Sequence, residues 1–244
     1  MSNSSLVSYT RWSPNNSGKR THSIDRISPH CVVGQCSVET LGAVFAPRSR
    51  GASCQYGIGA DGRVGQYVSE ANRSWCTSSN ANDQRAVTIE CASNTYAPFW
   101  MNDKVWKTLI KLCVDICKRN GKTKLLWFGD KTKTLNYVPK KHEMVITVHR
   151  WFAQKSCPGD WLYNRLGKLA TEVTKQLGGK STSYKVEVTA KKLPIKEKSG
   201  VKAKTVGYVH KGEIYTIVEE SPKKAWGKLK SGAGWIELKN TKKV

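Results

Sequence analysis

The pattern of apolar residues changes character at Gly178-Gly179, and that break divides what the chain can fold into. On its N-terminal side, two long stripes recur at helical spacing. Val105, Trp106, Leu109, Leu112, Cys113, Ile116 and Cys117 fall near a 3.6-residue period within Asp103 to Asn120, and Gly121 supplies a stop. Trp161, Leu162, Leu166, Leu169, Ala170 and Val173 form a second stripe from Asp160 to Gln176, with Asp160 as its expected N-cap after Pro158-Gly159. A shorter helix is expected over 37–45. Between these stripes lie short β-rich runs at 24–33, 54–58, 64–68, 86–91, 125–128 and 144–149, with Asp61-Gly62 as a hairpin turn between the second and third. Strands interleaved with helices predict an α/β sheet domain over residues 1–177.

Beyond the break the helical period is gone. GGKSTS, residues 178–183, reads as a short flexible linker. Residues 184–244 hold 15 Lys and 6 Glu, a balance of 15 − 6 = +9. Short strands are expected there at 184–189, 205–209, 213–219, 226–229 and 234–238, which predicts a small all-β barrel.

Across the 244 residues, 41 Lys plus Arg stand against 18 Asp plus Glu, so the formal charge is 41 − 18 = +23. A charge of this size calls for a polyanionic partner: nucleic acid, an anionic membrane or an anionic wall polymer. With 39% apolar residues and nine tryptophans the chain is not of the disordered class. The first twenty residues lack the apolar run of a secretory signal, and no stretch of about 18 apolar residues exists to span a membrane. The expectation is a soluble protein made in the cytoplasm. Its eight cysteines, with no CxxC pair among them, are then expected as reduced thiols.

The sharpest constellation is HRWFAQKSCPGDW, where His149 ends an apolar run and Cys157 follows eight residues later before a Pro-Gly turn. Zinc takes His nitrogen and Cys thiolate, and a catalytic site combines three protein ligands with one open position. His30, near the end of another expected strand in IDRISPHCVVGQ, is the best third ligand, because strand ends of an open α/β sheet share a crevice.

Residues 22–177 resemble the zinc-dependent N-acetylmuramoyl-L-alanine amidases, the family that also includes peptidoglycan recognition proteins. The resemblance rests on PHCVVGQ, the hairpin CQYGIGADGRVGQY, NDQRAVTIECAS and the closing His149, Lys155, Cys157, Pro158 pattern. The segment as a whole looks like phage endolysins that attack Gram-positive walls. The fold so implied is a mixed central sheet flanked by helices. By position, the family implies that His30, His149 and Cys157 hold Zn²⁺, that Lys155 stabilises charge on the substrate oxygen, and that Glu90 is the general base. Alternation in Val87 to Cys91 agrees with the last role, turning Glu90 away from Val87 and Ile89. Zn²⁺ would lower the pKa of its water from about 15.7 to roughly 7, with Glu90 taking the proton. Some relatives use a tyrosine where Cys54 stands here, and Tyr56, two residues on, would share that strand face. Trp75, Asn80, Asn82, Asp83 and Arg85 are candidate contacts to the glycan or stem peptide. Cys113 and Cys117, four apart on a helical stripe, read as core.

Residues 184–244 resemble a bacterial SH3 (SH3b) domain in GYVHKGEIYTIVEE and WGKLKSGAGWIEL. That family binds cell-wall peptide, and Tyr215, Trp226 and Trp235 are its candidate contacts here. The implied protein is a peptidoglycan hydrolase. It would cleave the amide between N-acetylmuramic acid and L-alanine of bacterial peptidoglycan, be drawn by charge to anionic wall polymers, and bind no specific nucleic acid. Without a signal it would reach the wall after release, as phage lysins do. A non-catalytic recognition protein, a cysteine peptidase using Cys157 or Cys54, and a nucleic-acid binder remain alternatives; the last gives no reason for His30, His149 and Cys157.

Overall fold

The computed structural model describes residues 3–178, 184–221 and 225–244. The chain separates into two compact units, Met1–Gly179 and Lys180–Val244. The expected linker, apart from Gly178, lies outside the described residues.

In the N-terminal unit the strands and helices follow in the order β1 (Val7–Thr10), β2 (Asn16–Lys19), β3 (Arg26–Cys31), α1 (Val38–Phe45), β4 (Tyr56–Ile58), β5 (Val64–Gln66), β6 (Asn72–Ser74), α2 (Asn80–Asp83) and β7 (Ala86–Cys91). They continue with α3 (Asp103–Arg119), β8 (Lys124–Leu126), α4 (Lys131–Asn136), β9 (Glu143–Ile146), α5 (Asp160–Tyr163) and α6 (Leu166–Gln176). Seven strands form one sheet in the order β1-β5-β4-β7-β3-β9-β8, parallel throughout except for the β4–β5 hairpin. The hairpin turns where expected, with Gly62 at φ +87°, a conformation that glycine adopts without a Cβ penalty. The mixed α/β architecture is thus the expected one. β2 and β6 pair separately.

The sheet has two unlike faces. Ile27 and Cys31 of β3, Tyr56 and Ile58 of β4, Val87 and Ile89 of β7, and Met144 and Ile146 of β9 enter a core completed by Val105, Leu109, Leu112 and Ile116 of α3 and by Leu166, Leu169 and Val173 of α6. Cys113 and Cys117 lie in that core, as their spacing suggested. The alternate residues Arg26, Ser28 and His30 of β3, with Thr88 and Glu90 of β7, face the other side. There Ser28 Oγ meets Thr147 Oγ1 at 2.6 Å, and Asn82 receives hydrogen bonds from Arg26 and Thr147 while donating to Ser28. This polar layer lies beneath the site, and a smaller apolar cluster of Leu41, Phe45, Cys54 and Tyr67 packs under α1.

The expected long helix at 160–176 is two. α5 ends at Asn164 and α6 begins after Arg165, whose guanidinium lies 4.2 Å from the ring centre of Trp161. The N-cap is Gly159, and Asp160 is the first helical residue.

The C-terminal unit is all β: β10 (Tyr184–Val188), β11 (Lys192–Lys196), β12 (Thr205–His210), β13 (Ile214–Glu220), β14 (Trp226–Leu229), β15 (Trp235–Glu237) and β16 (Thr241–Lys243). Among the described residues they pair antiparallel in the order β12-β11-β15-β14-β13-β10-β16, around Val186, Leu193, Ile195, Val209, Ile217, Leu229 and Ile236. Also among the described residues, no helix is long and apolar enough to cross a membrane.

Candidate metal centre

β3 and β7 run parallel with His30 opposite Glu90. Both side chains leave the sheet on its polar face, and His30 is only 1% exposed. β9 ends at Ile146, and the chain then makes a single 3₁₀ turn, His149–Trp151. Trp151 anchors that turn by stacking on Trp127 at 5.2 Å, which leaves His149 free to face the cleft. Arg150 braces the loop that follows: its backbone N–H donates to Cys157 O at 3.1 Å, and its guanidinium donates to Ser156 O and to Asp160. Cys157 is thereby returned to His30, with Sγ 3.2 Å from Nδ1.

The donor atoms of His30, His149 and Cys157 all lie within 4.8 Å of one another, although 119 residues separate the first two in sequence. Burial, and then the neighbouring His149, lowers the His30 pKa to about 3; burial and Lys155 lower that of His149. Both imidazoles are therefore neutral at neutral pH and present lone pairs. Glu90 Oε1 approaches His30 Nδ1 at 3.8 Å, a polar contact rather than an ion pair while the ring is uncharged. Burial raises the Glu90 carboxyl to about 7 against the pull of Arg50, and its Oε2 atom is buried with no hydrogen-bond partner among the described residues. Two imidazoles, a thiol and an orphaned carboxylate oxygen are the donor chemistry of a borderline-soft divalent cation. The residues present fit Zn²⁺.

The group opens into a cleft of about 400 Å³. Trp75, Asn80, Asp83 and Lys155 line it beside Glu90 and His149, as do Arg50 and Arg73, which sequence reasoning did not single out. Asn82 and Arg85 lie elsewhere: Asn82 is buried in the polar layer, and Arg85 pairs with Asp25. Tyr56 is also remote. Its side chain enters the apolar core, and its hydroxyl donates to Glu70 at 2.6 Å. Cys54 packs instead with Leu41, Phe45 and Tyr67, so the two residues occupy different clusters and Tyr56 does not stand in for Cys54. Cys76, an unremarked cysteine in the sequence, lies 3.4 Å from His30 Nε2. In the C-terminal unit Trp226 is buried, and Tyr215 and Trp235 are half-buried.

The sequence pattern of the family described as N-acetylmuramoyl-L-alanine amidase matches residues 7–160, more than half of the chain. The chain belongs to this amidase family. No curated protein matches it. Among solved structures, the N-acetylmuramoyl-L-alanine amidase LysC from Clostridium intestinale is similar at 14% identity and a TM-score of 0.45, over 71% of this chain and 100% of that one. A mutant endolysin from Bacillus subtilis is similar at 13% identity and 0.45, over 68% and 97%. Human PGRP-IBETAC, in complex with glycosamyl muramyl pentapeptide, is similar at 15% and 0.46, over 64% and 88%. The amidase match ends at Asp160, so it takes in His30, Glu90, His149, Lys155 and Cys157 but not the C-terminal unit.

Proposed function

We propose that this amidase-family protein is a Zn²⁺-dependent N-acetylmuramoyl-L-alanine amidase that cleaves the amide joining N-acetylmuramic acid to L-alanine in bacterial peptidoglycan, acting at the cell wall as an endolysin or autolysin. The observation that carries the reading is the convergence of His30, His149 and Cys157 beside a Glu90 whose carboxyl is held near neutrality. His30, His149 and Cys157 would hold the ion. When bound, Zn²⁺ supplies Lewis acidity toward a carbonyl oxygen and makes water acidic near neutral pH.

The remaining work falls to the chain. The Glu90 carboxylate accepts the proton of the attacking water and returns it to the departing alanine nitrogen, a shuttle that a pKa near the working pH favours. The Lys155 side chain lies at the cleft beside His149 and provides positive charge where the substrate oxygen becomes negative. Ser78 Oγ, 3.1 Å from His149 Nε2, helps to fix that ring. The cleft's Arg50 and Arg73 and the net charge of +23 suit an anionic wall. The C-terminal unit is read as an SH3b module that raises the local concentration of substrate by tethering.

The burial of Cys54, and the elevated thiol of Cys157, raised chiefly by its contact with Cys31 and by burial, disfavour a cysteine nucleophile. Digestion of Gram-positive walls with and without chelator, read by mass spectrometry, tests the proposal. New L-alanine amino termini that vanish with chelator and return with Zn²⁺ are expected. Chelator-indifferent ends elsewhere would indicate a cysteine peptidase, and tight wall binding with no new ends a recognition protein.

A further inference from the structure

His30 presents two ring nitrogens, and each meets a thiol. Cys157 Sγ lies 3.2 Å from Nδ1, and Cys76 Sγ lies 3.4 Å from Nε2. Cys76 Sγ is also 3.9 Å from Glu90 Oε1. The donor atoms of His30, Cys76 and Glu90 all fall within 4.8 Å of one another, the same spread as the first set. The position of Cys76 is built. Its backbone N–H donates to the buried Asp83 carboxylate at 3.1 Å, and Thr77 donates to Asp83 through both its backbone N–H and its hydroxyl. Asp83 closes α2, so the loop carrying Cys76 is pinned to a helix next to the cleft. The unpartnered Oε2 of Glu90 remains as an unused acceptor within this group.

We propose that His30, Cys76 and Glu90 form a second holding position for a thiophilic divalent cation, an alternative to the position formed by His30, His149 and Cys157. The inference rests on the functional reading above and adds to it a resting state. Both sets need His30, and a neutral imidazole offers a lone pair on only one of its two nitrogens, so one ion occupies one position at a time. In the second position the Glu90 carboxylate is a ligand and accepts no proton, so the protein keeps its metal while turnover stops. Each set holds one thiolate, which favours soft or borderline cations over Mg²⁺ or Ca²⁺.

Cadmium binding to the full chain, followed by ultraviolet thiolate-to-metal charge-transfer absorption and by equilibrium dialysis, tests this without recourse to activity. The parent should bind one equivalent. Cys157→Ala should still bind Cd²⁺ with roughly the parental charge-transfer amplitude, because the second set also contributes a single thiolate. Cys157→Ala/Cys76→Ser should lose both ion and band. Cys76→Ser alone should keep the band. Loss of the band in folded Cys157→Ala overturns the proposal; if that variant does not fold, Cys157→Ser, which keeps the side-chain size but removes the first set's thiolate, must keep the band. A band that disappears in Cys76→Ser alone would instead sink the functional reading, since only the second set would then bind metal.

Discussion

His30 and Glu90 occupy directly paired positions on adjacent parallel strands, and their Nδ1 and Oε1 atoms stand 3.8 Å apart. The proposed metal ligand and the proposed proton acceptor are thus fixed by backbone hydrogen bonding rather than by a flexible loop. What varies in this pair is protonation.

Glu90→Gln should lower wall-digesting turnover by about 10²- to 10⁴-fold, the usual contribution of a general acid–base group. It should also change how stability depends on pH. In metal-free protein the folded carboxyl titrates near 7, against an ordinary 4.5, so between those values the folded chain retains a proton that the unfolded chain has released. Stability contributed by this group falls as pH rises through that window, by about 3 kcal/mol. His30 opposes the trend, because the unfolded chain protonates it near 6.5 and the folded chain only near 3. The measurement is therefore a difference: urea unfolding of variant and parent with chelator present, at about pH 4.5 and about pH 8. The variant should gain on the parent at the higher pH, and a difference independent of pH would refute the assignment.

Lys155→Ala should cost about 2.7–4 kcal/mol of transition-state stabilisation, as loss of an oxyanion donor does. Lys155 is exposed, so its melting temperature should match that of the parent. Turnover and calorimetry on one preparation decide the matter, and near-normal turnover would remove Lys155 from the mechanism.

Chelation should destabilise as well as inactivate. A ligand bound only by the folded state stabilises it by about 4.1 kcal/mol at a thousand times its dissociation constant. Thermal unfolding in rising Zn²⁺ should show a steadily increasing midpoint; an unchanged midpoint would mean that the donors hold no ion.

Arg119→Met should unfold the protein readily yet spare its chemistry. Glu70, nearly fully buried, receives Arg119 Nη1 at 2.9 Å, Arg119 Nη2 at 2.5 Å and the Tyr56 hydroxyl. Withdrawing the guanidinium leaves a buried carboxylate short of its counter-charge, a loss of about 3–5 kcal/mol. Because this cluster adjoins the apolar face, turnover per folded molecule should stay at the parental level; urea midpoints and active-site titration separate the two effects.

The elements legible in the sequence were those that declare themselves by periodicity. α3 matches its expected span to within one residue, because its eight buried positions fix a helical stripe and Asn102 caps it. β1, β2 and β6 went unseen: NSGK and NRS carry no apolar alternation, VSYT alternates over only four residues, and their strand form depends on partners remote in sequence. β11 was hidden by Pro194, a residue that argues against a strand. The split between α5 and α6 was invisible because the stripe continues across it in register. Of the site, His30, His149 and Cys157 were legible through their place in a family pattern, whereas Cys76 was not. Nothing in its spacing from His30 marks it, and the loop pinned by Asp83 brings it there.

Residues facing α3 and α6 form the main apolar core, while the opposite side of the central sheet carries the candidate site together with the buried Asn82 network and the Leu41 cluster. A change confined to the exposed Lys155 would leave the core against α3 and α6 as it stands, whereas His30, 1% exposed, belongs to the interior as well as to the site. The fold against α3 and the proposed chemistry are therefore separable at the rim of the cleft and coupled at its floor, where the paired strands β3 and β7 carry His30 and Glu90.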